Sequence, residues 1–423
     1  MAGLTAARVL SERYDAVTVL DRDALPDGAA PRRGVPQSRQ PHVLLVGGLY
    51  ELAALFPGIV DDLTALGATR FDLGLGLCVY RYGRRWPRGE TGLELVSASR
   101  PLLESVVRDR VAGQSGVTVR DQVAVTALAG AENRVTGVVL DTGETIAADL
   151  VVDATGRGSR SDRWLAALGF PAPAPTEIKV GVAYSTRLYR RRAGDLGDWQ
   201  AALVLPTPPS ETRAGIVVPI EGDRWIVMVG GWHVDEPPGD ATAFEAFARS
   251  LPDGIIADLI DRAEPLTDPL VYRFPASRRR AFDRLDRLPA GYVTAGDAFC
   301  SFNPVYGQGM TVAAMAARAL GAALDRHGDA TVAMVRDYNR AAAGLIATPW
   351  QFAVGGDFSY PQTSGPRPRG IALSNWYARR IGLASQVAPD INTTFFRVQQ
   401  LLEPPSVLLR PAFMARVLWL NRP

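Results

Sequence analysis

The chain has 423 residues, of which 47% are hydrophobic and 21% are charged, with 41 glycines and 31 prolines. This composition excludes a disordered chain, a collagen and a small disulfide scaffold. The length predicts two or three domains at roughly 150 residues each. Forty-six basic residues against 44 acidic ones leave a formal charge of +2, so nucleic acid is not an expected partner.

The chain has two cysteines, Cys78 and Cys300, and neither belongs to a C-x-x-C pair. Two distant thiols cannot build a disulfide framework, so we expect a reducing, cytoplasmic location. The absence of any run of about 18 apolar residues predicts no transmembrane segment. The first residues lack the pattern of a signal peptide, and the three histidines are too scattered to predict a metal site.

The first 25 residues have the pattern of half a nucleotide-binding unit. Apolar residues at helical spacing predict a helix over 1–14, and AVTVL at 16–20 predicts a buried strand that ends at Asp21. In a Rossmann unit, the third glycine of G-x-G-x-x-G lets the helix pack close to the strand, and an acid about 20 residues later binds a ribose hydroxyl. Gly3 and Asp21 fit these two roles.

The first strand and the first two glycines of such a unit would precede Met1. We therefore expect Met1 to be an internal methionine of a longer gene product, which predicts a weakened nucleotide affinity for the present chain. The alternative is that the first helix simply opens the fold.

The rest of the chain predicts one parallel unit that is interrupted by an antiparallel sheet and closed by helices. The expected elements are, in order, a helix at 97–113, strands within 117–156, alternating strands within 176–232, helical residues at 241–263, a buried strand at 291–299, a helix at 309–326 and mostly helical residues at 331–423.

The strongest chemical signal is GDAFCSFNPVYGQGM at 296–310. A buried strand ends at Asp297, and Pro304, Gly307 and Gly309 then predict a tight turn before a helix. The positive helix end and the free backbone amides of the turn suit a ligand with hydroxyls and an electron-rich ring, such as a flavin.

This motif is similar to the G-D-A-x(4)-P-x-x-G-x-G motif of FAD-dependent monooxygenases of the para-hydroxybenzoate hydroxylase fold. ADLVVDATGRGSR at 148–160 resembles the second motif of that family, and Gly3 and Asp21 match the end of its first. RRGVPQSRQPHVLL at 32–45 and the C-terminal helices look closest to a bacterial branch that contains polyether-type flavin epoxidases.

The resemblance implies an α/β fold with a Rossmann-like FAD-binding domain, without its first strand, an inserted antiparallel-sheet substrate domain and C-terminal helices. The implied divisions are 1–75, 97–170 and 275–335 for the FAD-binding domain, 76–96 and 171–274 for the substrate domain, and 336–423 for the helical region.

Residues of the cofactor site follow from the same resemblance. Gly3 would approach the FAD pyrophosphate, and Asp21, beside Arg22, would bind the adenosine ribose. The remaining implied contacts are Arg100 at the diphosphate or ribityl, the backbone of Val125 at the adenine, Asp297 at FAD, and Gly307, Gln308, Gly309 and Met310 at the isoalloxazine.

Two further residues are weak candidates for the flavin or substrate side of the site. His42 could face the flavin or serve as a structural histidine, and Tyr306 could line the substrate side of the ring or pack internally. An apolar substrate wall is expected from the antiparallel sheet, where strand alternation decides which residues face inward. The candidates for this wall are Tyr184, Val217, Trp225, Met228 and Trp232.

The implied reaction is monooxygenation. NAD(P)H, or a separate flavin reductase, would supply the electrons; O₂ would add at flavin C4a; and the hydroperoxide would epoxidise a carbon–carbon double bond. A small hydrophobic substrate of polyketide or terpenoid type would place the enzyme in secondary metabolism. The alternatives are an aromatic hydroxylase, a flavin-dependent prenyl reductase and a non-catalytic remnant of the fold; the absence of W-x-W-x-I-P disfavours a halogenase.

Overall fold

The computed structural model describes residues 1–422, and within that range the chain forms thirteen α-helices, six short 3-10 helices and seventeen strands. The helices are α1 (Ala2–Leu10), α2 (Val46–Leu55), α3 (Ile59–Ala65), α4 (Leu73–Gly76), α5 (Arg100–Ala112), α6 (Ser161–Ala167), α7 (Ala241–Arg249), α8 (Ile255–Ile260), α9 (Gly309–His327), α10 (Val332–Asp357), α11 (Ile371–Ala384), α12 (Pro389–Gln399) and α13 (Pro411–Leu420). The strands are β1 (Val17–Leu20), β2 (Thr69–Asp72), β3 (Leu77–Arg81), β4 (Arg84–Arg85), β5 (Glu94–Ser97), β6 (Val117–Arg120), β7 (Val125–Ala131), β8 (Arg134–Leu140), β9 (Thr145–Ala147), β10 (Val151–Asp153), β11 (Pro175–Arg190), β12 (Ala201–Val204), β13 (Arg213–Ile220), β14 (Arg224–Trp232), β15 (Leu270–Arg280), β16 (Tyr292–Thr294) and β17 (Cys300–Ser301).

The nucleotide-binding layer is built from short parallel strand pairs covered by α1, α5 and α9. β1 pairs with β6, and β10 pairs with β16, both in parallel. Leu4, Ala7 and Val9 on one face of α1 pack with Val107 of α5 and Ala314 of α9 in one apolar cluster. The predicted helix–strand–acid order at the start of the chain is confirmed.

A gap separates the two parallel pairs. α1 contacts both β1 and β10, but no backbone pairing joins those two strands within residues 1–422. Val19 and Val152 are only half-buried and line the same cavity beneath α1. A doubly wound sheet has the strand order 3-2-1-4-5. Here β6 corresponds to strand 3, β1 to strand 2, β10 to strand 4 and β16 to strand 5. The central position of strand 1, between β1 and β10, is the one that no strand within residues 1–422 fills.

The largest sheet has eight strands in the order β17-β15-β11-β14-β13-β12-β3-β4. It contains the alternating strands predicted within 176–232, and its pairings are antiparallel except that β12 runs parallel to β3. β11 bends at a bulge between Lys179 and Val182. α7 and α8 cover one face of this sheet, so its strands are apolar on both faces.

The remaining helices close the fold. α9 packs along α10, and α11, α12 and α13 contact one another beyond it. The helical stretch predicted at 241–263 is divided into α7 and α8 by Pro252 and Gly254. Within residues 1–422, no helix is both long and apolar enough to cross a membrane. The predicted α/β fold class is confirmed, whereas the predicted domain boundaries stay a prediction.

Candidate active site

One connected cavity of about 2160 Å³ runs from the edge of the parallel strands to the large sheet. The sequence-predicted cofactor residues come from seven separate elements and turns, and the fold brings all of them to the wall of this cavity. These cavity-lining residues are Gly3, Asp21, Arg22, Arg100, Val125, Asp297, Gly307, Gln308, Gly309 and Met310.

At one end of the cavity, Asp21 follows β1 and lies in a network of ion pairs. Arg32 donates from Nη1 to the carboxylates of Asp21 and Asp23 at 3.0 and 2.9 Å. Its Nε donates to Glu104 at 2.8 Å. Arg32 therefore fixes the acid expected to bind ribose. Sequence reasoning missed Arg32, because a single arginine in a loop carries no spacing signal.

Arg100 begins α5 and is held by the carboxylate of Glu104, one turn along the same helix, at 3.1 Å. Burial lowers the pKa of Arg100, partly offset by Glu104. Burial opposes ionisation of Glu104, but the N-terminal amine, Arg100 and Arg32 outweigh it and lower its pKa to about 2. Glu104 thus stays charged and orients both arginines at the cavity wall.

Two helices point their N-terminal ends at the middle of the cavity. α1 has no side-chain cap, so its first amides are free for an anion. A Cβ on Gly3 would lie 3.4 Å from the Cβ of Ala154, which is a close approach of helix to strand end. α9 also lacks a side-chain cap, and it follows Gly307, whose φ of +67° closes the preceding turn.

Asp297 lies in the turn after β16, between these two helix ends. No hydrogen bond from residues 1–422 reaches its carboxylate, and burial raises its pKa despite the nearby Arg100 and Arg157. The buried Oε1 of Gln308 likewise has no partner. Buried polar atoms are normally paired, so the unpaired Oε1 of Gln308, beside the half-buried carboxylate of Asp297, indicates a polar ligand in the cavity.

His42 also lines the cavity. Its Nδ1 lies 2.9 Å from the carbonyl oxygen of Gln40, which fixes the ring. Burial and the charge of Arg100 lower the pKa of His42 to about 4. The imidazole is therefore neutral at physiological pH, and both interpretations of His42, flavin contact and structural support, stay open.

Strand alternation divides the predicted substrate wall. Tyr184, Met228 and Trp232 lie on the cavity face of the large sheet. Val217 and Trp225 lie on the opposite face, where they pack under α7 and α8 at 0% and 2% exposure. The prediction that Val217 and Trp225 line the substrate wall is therefore wrong, because neighbouring residues on a strand point to opposite faces of the sheet. Their places are taken by cavity-lining Ile216 and Val218.

Tyr306 lies at the substrate end of the cavity, beside Trp232 in an edge-on arrangement with ring centroids 6.3 Å apart. Its hydroxyl lies 3.3 Å from Oδ1 of Asp357, which also accepts from Trp232 and from Asn303 at 2.8 Å each. Burial, and then Asp357, raises the pKa of Tyr306 well above its usual value, so this phenol stays protonated. Sequence reasoning missed Asp357 because it sits in a helix with no motif around it.

Known proteins resemble this chain in sequence and in fold. A sequence model of the tryptophan halogenase family matches residues 100–164. Protein Rv3254 of Mycobacterium tuberculosis is 34% identical over 419 residues, which cover 90% of this chain and 88% of the mycobacterial protein. The chain belongs to the Rv3254 family.

Solved structures share the fold of this Rv3254-family protein. A flavoprotein/dehydrogenase from Cytophaga hutchinsonii has a TM-score of 0.70 at 17% identity and covers 99% of this chain and 96% of its own. PqsL, a probable FAD-dependent monooxygenase from Pseudomonas aeruginosa, has a TM-score of 0.62 at 19% identity and covers 85% and 94%. The fold is therefore that of flavin-dependent enzymes, whereas a particular closeness to polyether epoxidases stays a prediction.

Proposed function

We propose that this protein is an FAD-dependent monooxygenase that oxidises a small hydrophobic substrate. One observation carries the proposal: the residues expected to hold FAD line one cavity, and that cavity continues to an apolar wall on the large sheet. A cofactor site and a substrate site that share one cavity are what oxygen transfer from a flavin requires.

The residues present fit FAD. Asp21, held by Arg32, would accept hydrogen bonds from the adenosine ribose, and the backbone at Val125 would border the adenine. Arg100 and the free amides of α1 would meet the diphosphate. The unpaired carboxylate of Asp297 would accept from ribityl hydroxyls, and the amides at Gly307–Met310 would stabilise negative charge on the ring.

When bound, FAD would supply electron transfer from NAD(P)H, directly or through a separate reductase, and the activation of O₂. The chain's own residues would orient the substrate and exclude water. Met228, Ile216 and Val218 offer apolar surface on the large sheet, and Arg81 at the end of β3 lines the same cavity near Tyr306. A wall that is mostly apolar suits a hydrocarbon-like alkene better than a small aromatic acid. We therefore favour epoxidation over aromatic hydroxylation.

A flavin-dependent halogenase is the second candidate, because the tryptophan halogenase model matches residues 100–164. A halogenase that passes an oxidised halogen through an amine would need a lysine in the cavity. Lys179 is the only lysine of the chain, and it is exposed and lies outside the cavity wall. This placement favours oxygen transfer to carbon.

The first experiment tests the cofactor. Protein purified in the presence of FAD should carry the flavin absorbance bands, and Asp297→Ala should lower flavin occupancy severalfold. Asp325→Ala is the matched control, because Asp325 lies at the far end of α9 and pairs with Arg13 at the surface. Unchanged flavin content in the Asp297 variant would contradict the assignment.

The second experiment tests the chemistry. Reduced flavin, ¹⁸O₂ and a set of olefins and phenols are supplied, with and without bromide. Label in an epoxide supports the proposal. Label only in phenols would assign a hydroxylase, olefin reduction without label would assign a prenyl reductase, and brominated product would assign a halogenase.

A further inference from the structure

Exposed apolar side chains are concentrated near the C-terminal end of the chain. Of the eleven large hydrophobic residues exposed within residues 1–422, six lie between 371 and 420. These six are Leu373 (70% exposed), Trp376 (46%), Val387 (58%), Leu409 (58%), Leu418 (41%) and Trp419 (57%). Scattered exposed leucines are ordinary on a protein surface, but two tryptophans and four aliphatic residues on a few adjacent elements are not.

Three of these six residues lie at the mouth of the cavity. Leu373, Trp376 and Leu409 both line the cavity and stand exposed to solvent. Met414 of α13 also lines the cavity, and Leu418 lies one turn further along the same helix face. We call Leu373, Trp376, Leu409 and Leu418, together with the exposed Trp419 that follows Leu418 in the chain, the mouth face. Exposed apolar side chains therefore lie at the opening of the cavity.

The charge around the mouth face is strongly positive. Residues 361–423 contain eight arginines against two carboxylates, a formal charge of +6 in a chain whose total is +2. The two carboxylates, Asp390 and Glu403, are paired with Arg416 and Arg397. The six other arginines have no salt-bridge partner within residues 1–422, and the guanidinium of Arg380 lies 5.6 Å from the ring centroid of Trp376.

We propose that the mouth face docks on an anionic lipid surface, so that the cavity opens onto the bilayer. Exposed tryptophans and leucines beside unpaired arginines on short helices are the combination that binds the interface of an anionic membrane. A second copy of this chain is the poorer occupant, because a two-fold contact would oppose two arginine-rich faces. The substrate of such an enzyme is a membrane-dissolved, apolar molecule.

The inference needs no bound flavin, so its test is separate from that of the proposed monooxygenase activity. The full chain is floated with vesicles of phosphatidylcholine alone and with vesicles containing about one third phosphatidylglycerol. We expect binding to the anionic vesicles to be at least about tenfold tighter, and to weaken as salt rises from about 0.05 to 0.5 M. Equal or undetectable binding to the two vesicle types would overturn the proposal.

Variants locate the contact. Trp376→Ser and Trp419→Ser should each weaken vesicle binding severalfold, as should the charge reversal Arg379→Glu with Arg380→Glu, and none of these removes a buried side chain. Leu66→Ser is the matched control, because Leu66 is 54% exposed beside α3 and lies outside the mouth face. Unchanged binding in the tryptophan variants would overturn the proposal. So would a dimer, seen by size-exclusion chromatography, that dissociates on Trp376→Ser, since the face would then be an interface between copies.

Discussion

The indole nitrogen of Trp232 donates a hydrogen bond to Oδ1 of Asp357 over 2.8 Å. This bond joins the last residue of β14 to the last residue of α10. Asn303 and Tyr306, from the turn before α9, reach the same oxygen. One buried carboxylate therefore ties the large sheet, the C-terminal helices and the proposed flavin turn together at the substrate end of the cavity.

Asp357→Ala should destabilise the protein by about 2–4 kcal/mol. The substitution leaves the buried donors of Trp232 and Asn303 without an acceptor, and each unpaired buried donor costs roughly 1–3 kcal/mol. Asp357→Asn keeps an acceptor oxygen and should cost less than half as much. Urea unfolding at neutral pH measures both. An alanine variant as stable as the parent chain would mean that water replaces the carboxylate.

The same residue predicts a pH dependence. Burial raises the pKa of Asp357 to about 6, partly opposed by its three hydrogen-bond donors. Because the folded state holds this proton more tightly than the unfolded state, the contribution is fully present below pH 3.8. It is lost as the pH rises through 6, by up to about 3 kcal/mol. Asp357→Asn should remove this component from unfolding free energies measured between pH 4 and 7; an unchanged pH slope would contradict it.

His42 predicts the opposite slope over much of the same range. Its pKa is lowered to about 4, chiefly by burial, so the folded state favours the neutral ring. The contribution is fully present above pH 6.5 and is lost as the pH falls towards 4, by up to about 3 kcal/mol. His42→Asn should flatten this acid-side loss in the flavin-free protein. If the loss persists, another group is responsible, and NMR titration of the ring would show an ordinary pKa.

The parts of the fold with a strong local pattern could be predicted from the sequence. The helix of α1, the strand that ends at Asp21 and the turn before α9 each have a short-range signature in glycine spacing and apolar period. Which residues of the large sheet face the cavity could not be predicted. β14 reads RWIVMVGGW, which is apolar at both alternating positions, because helices cover one face and the cavity wall forms the other.

Long-range partners were equally hidden in the sequence. Arg32 meets Glu104 across 72 positions, and Trp232 meets Asp357 across 125. No fixed sequence spacing relates the two residues of either pair, because only the packing of distant elements brings them together. The proposed cofactor residues Gly3, Asp21 and Asp297 could be named from the sequence because each lies in a motif with a fixed spacing. Arg100 and Val125 came from the family resemblance alone.

The two faces of the large sheet predict contrasting variants. Trp225→Ala should lower stability by about 3–5 kcal/mol, because Trp225 is buried under α7 and donates to Asp195 at 2.8 Å. Met228→Trp should leave flavin occupancy near the parent level and lower turnover of bulky olefins at least tenfold by filling the cavity. Thermal unfolding and a substrate panel measure the pair. If the Trp225 variant lost turnover of bulky olefins and the Met228 variant kept it, the assignment of Met228 to the cavity face and Trp225 to the opposite face would be wrong.

The gap between β1 and β10 supports the last prediction. Both strands present an unpaired edge beneath α1 within residues 1–422, and unpaired edges of parallel strands accept a further strand readily. A strand with a glycine turn, attached ahead of Met1, should pair with both edges and place additional amides at the diphosphate site. Amide hydrogen exchange at Val19 and Val152 should slow at least tenfold, and FAD should bind at least tenfold more tightly. A glycine–serine tail of the same length is the matched control, because it adds chain without strand propensity. If both tails give equal exchange and equal FAD affinity, the gap does not take up a strand and the nucleotide-binding layer is complete as two separate pairs.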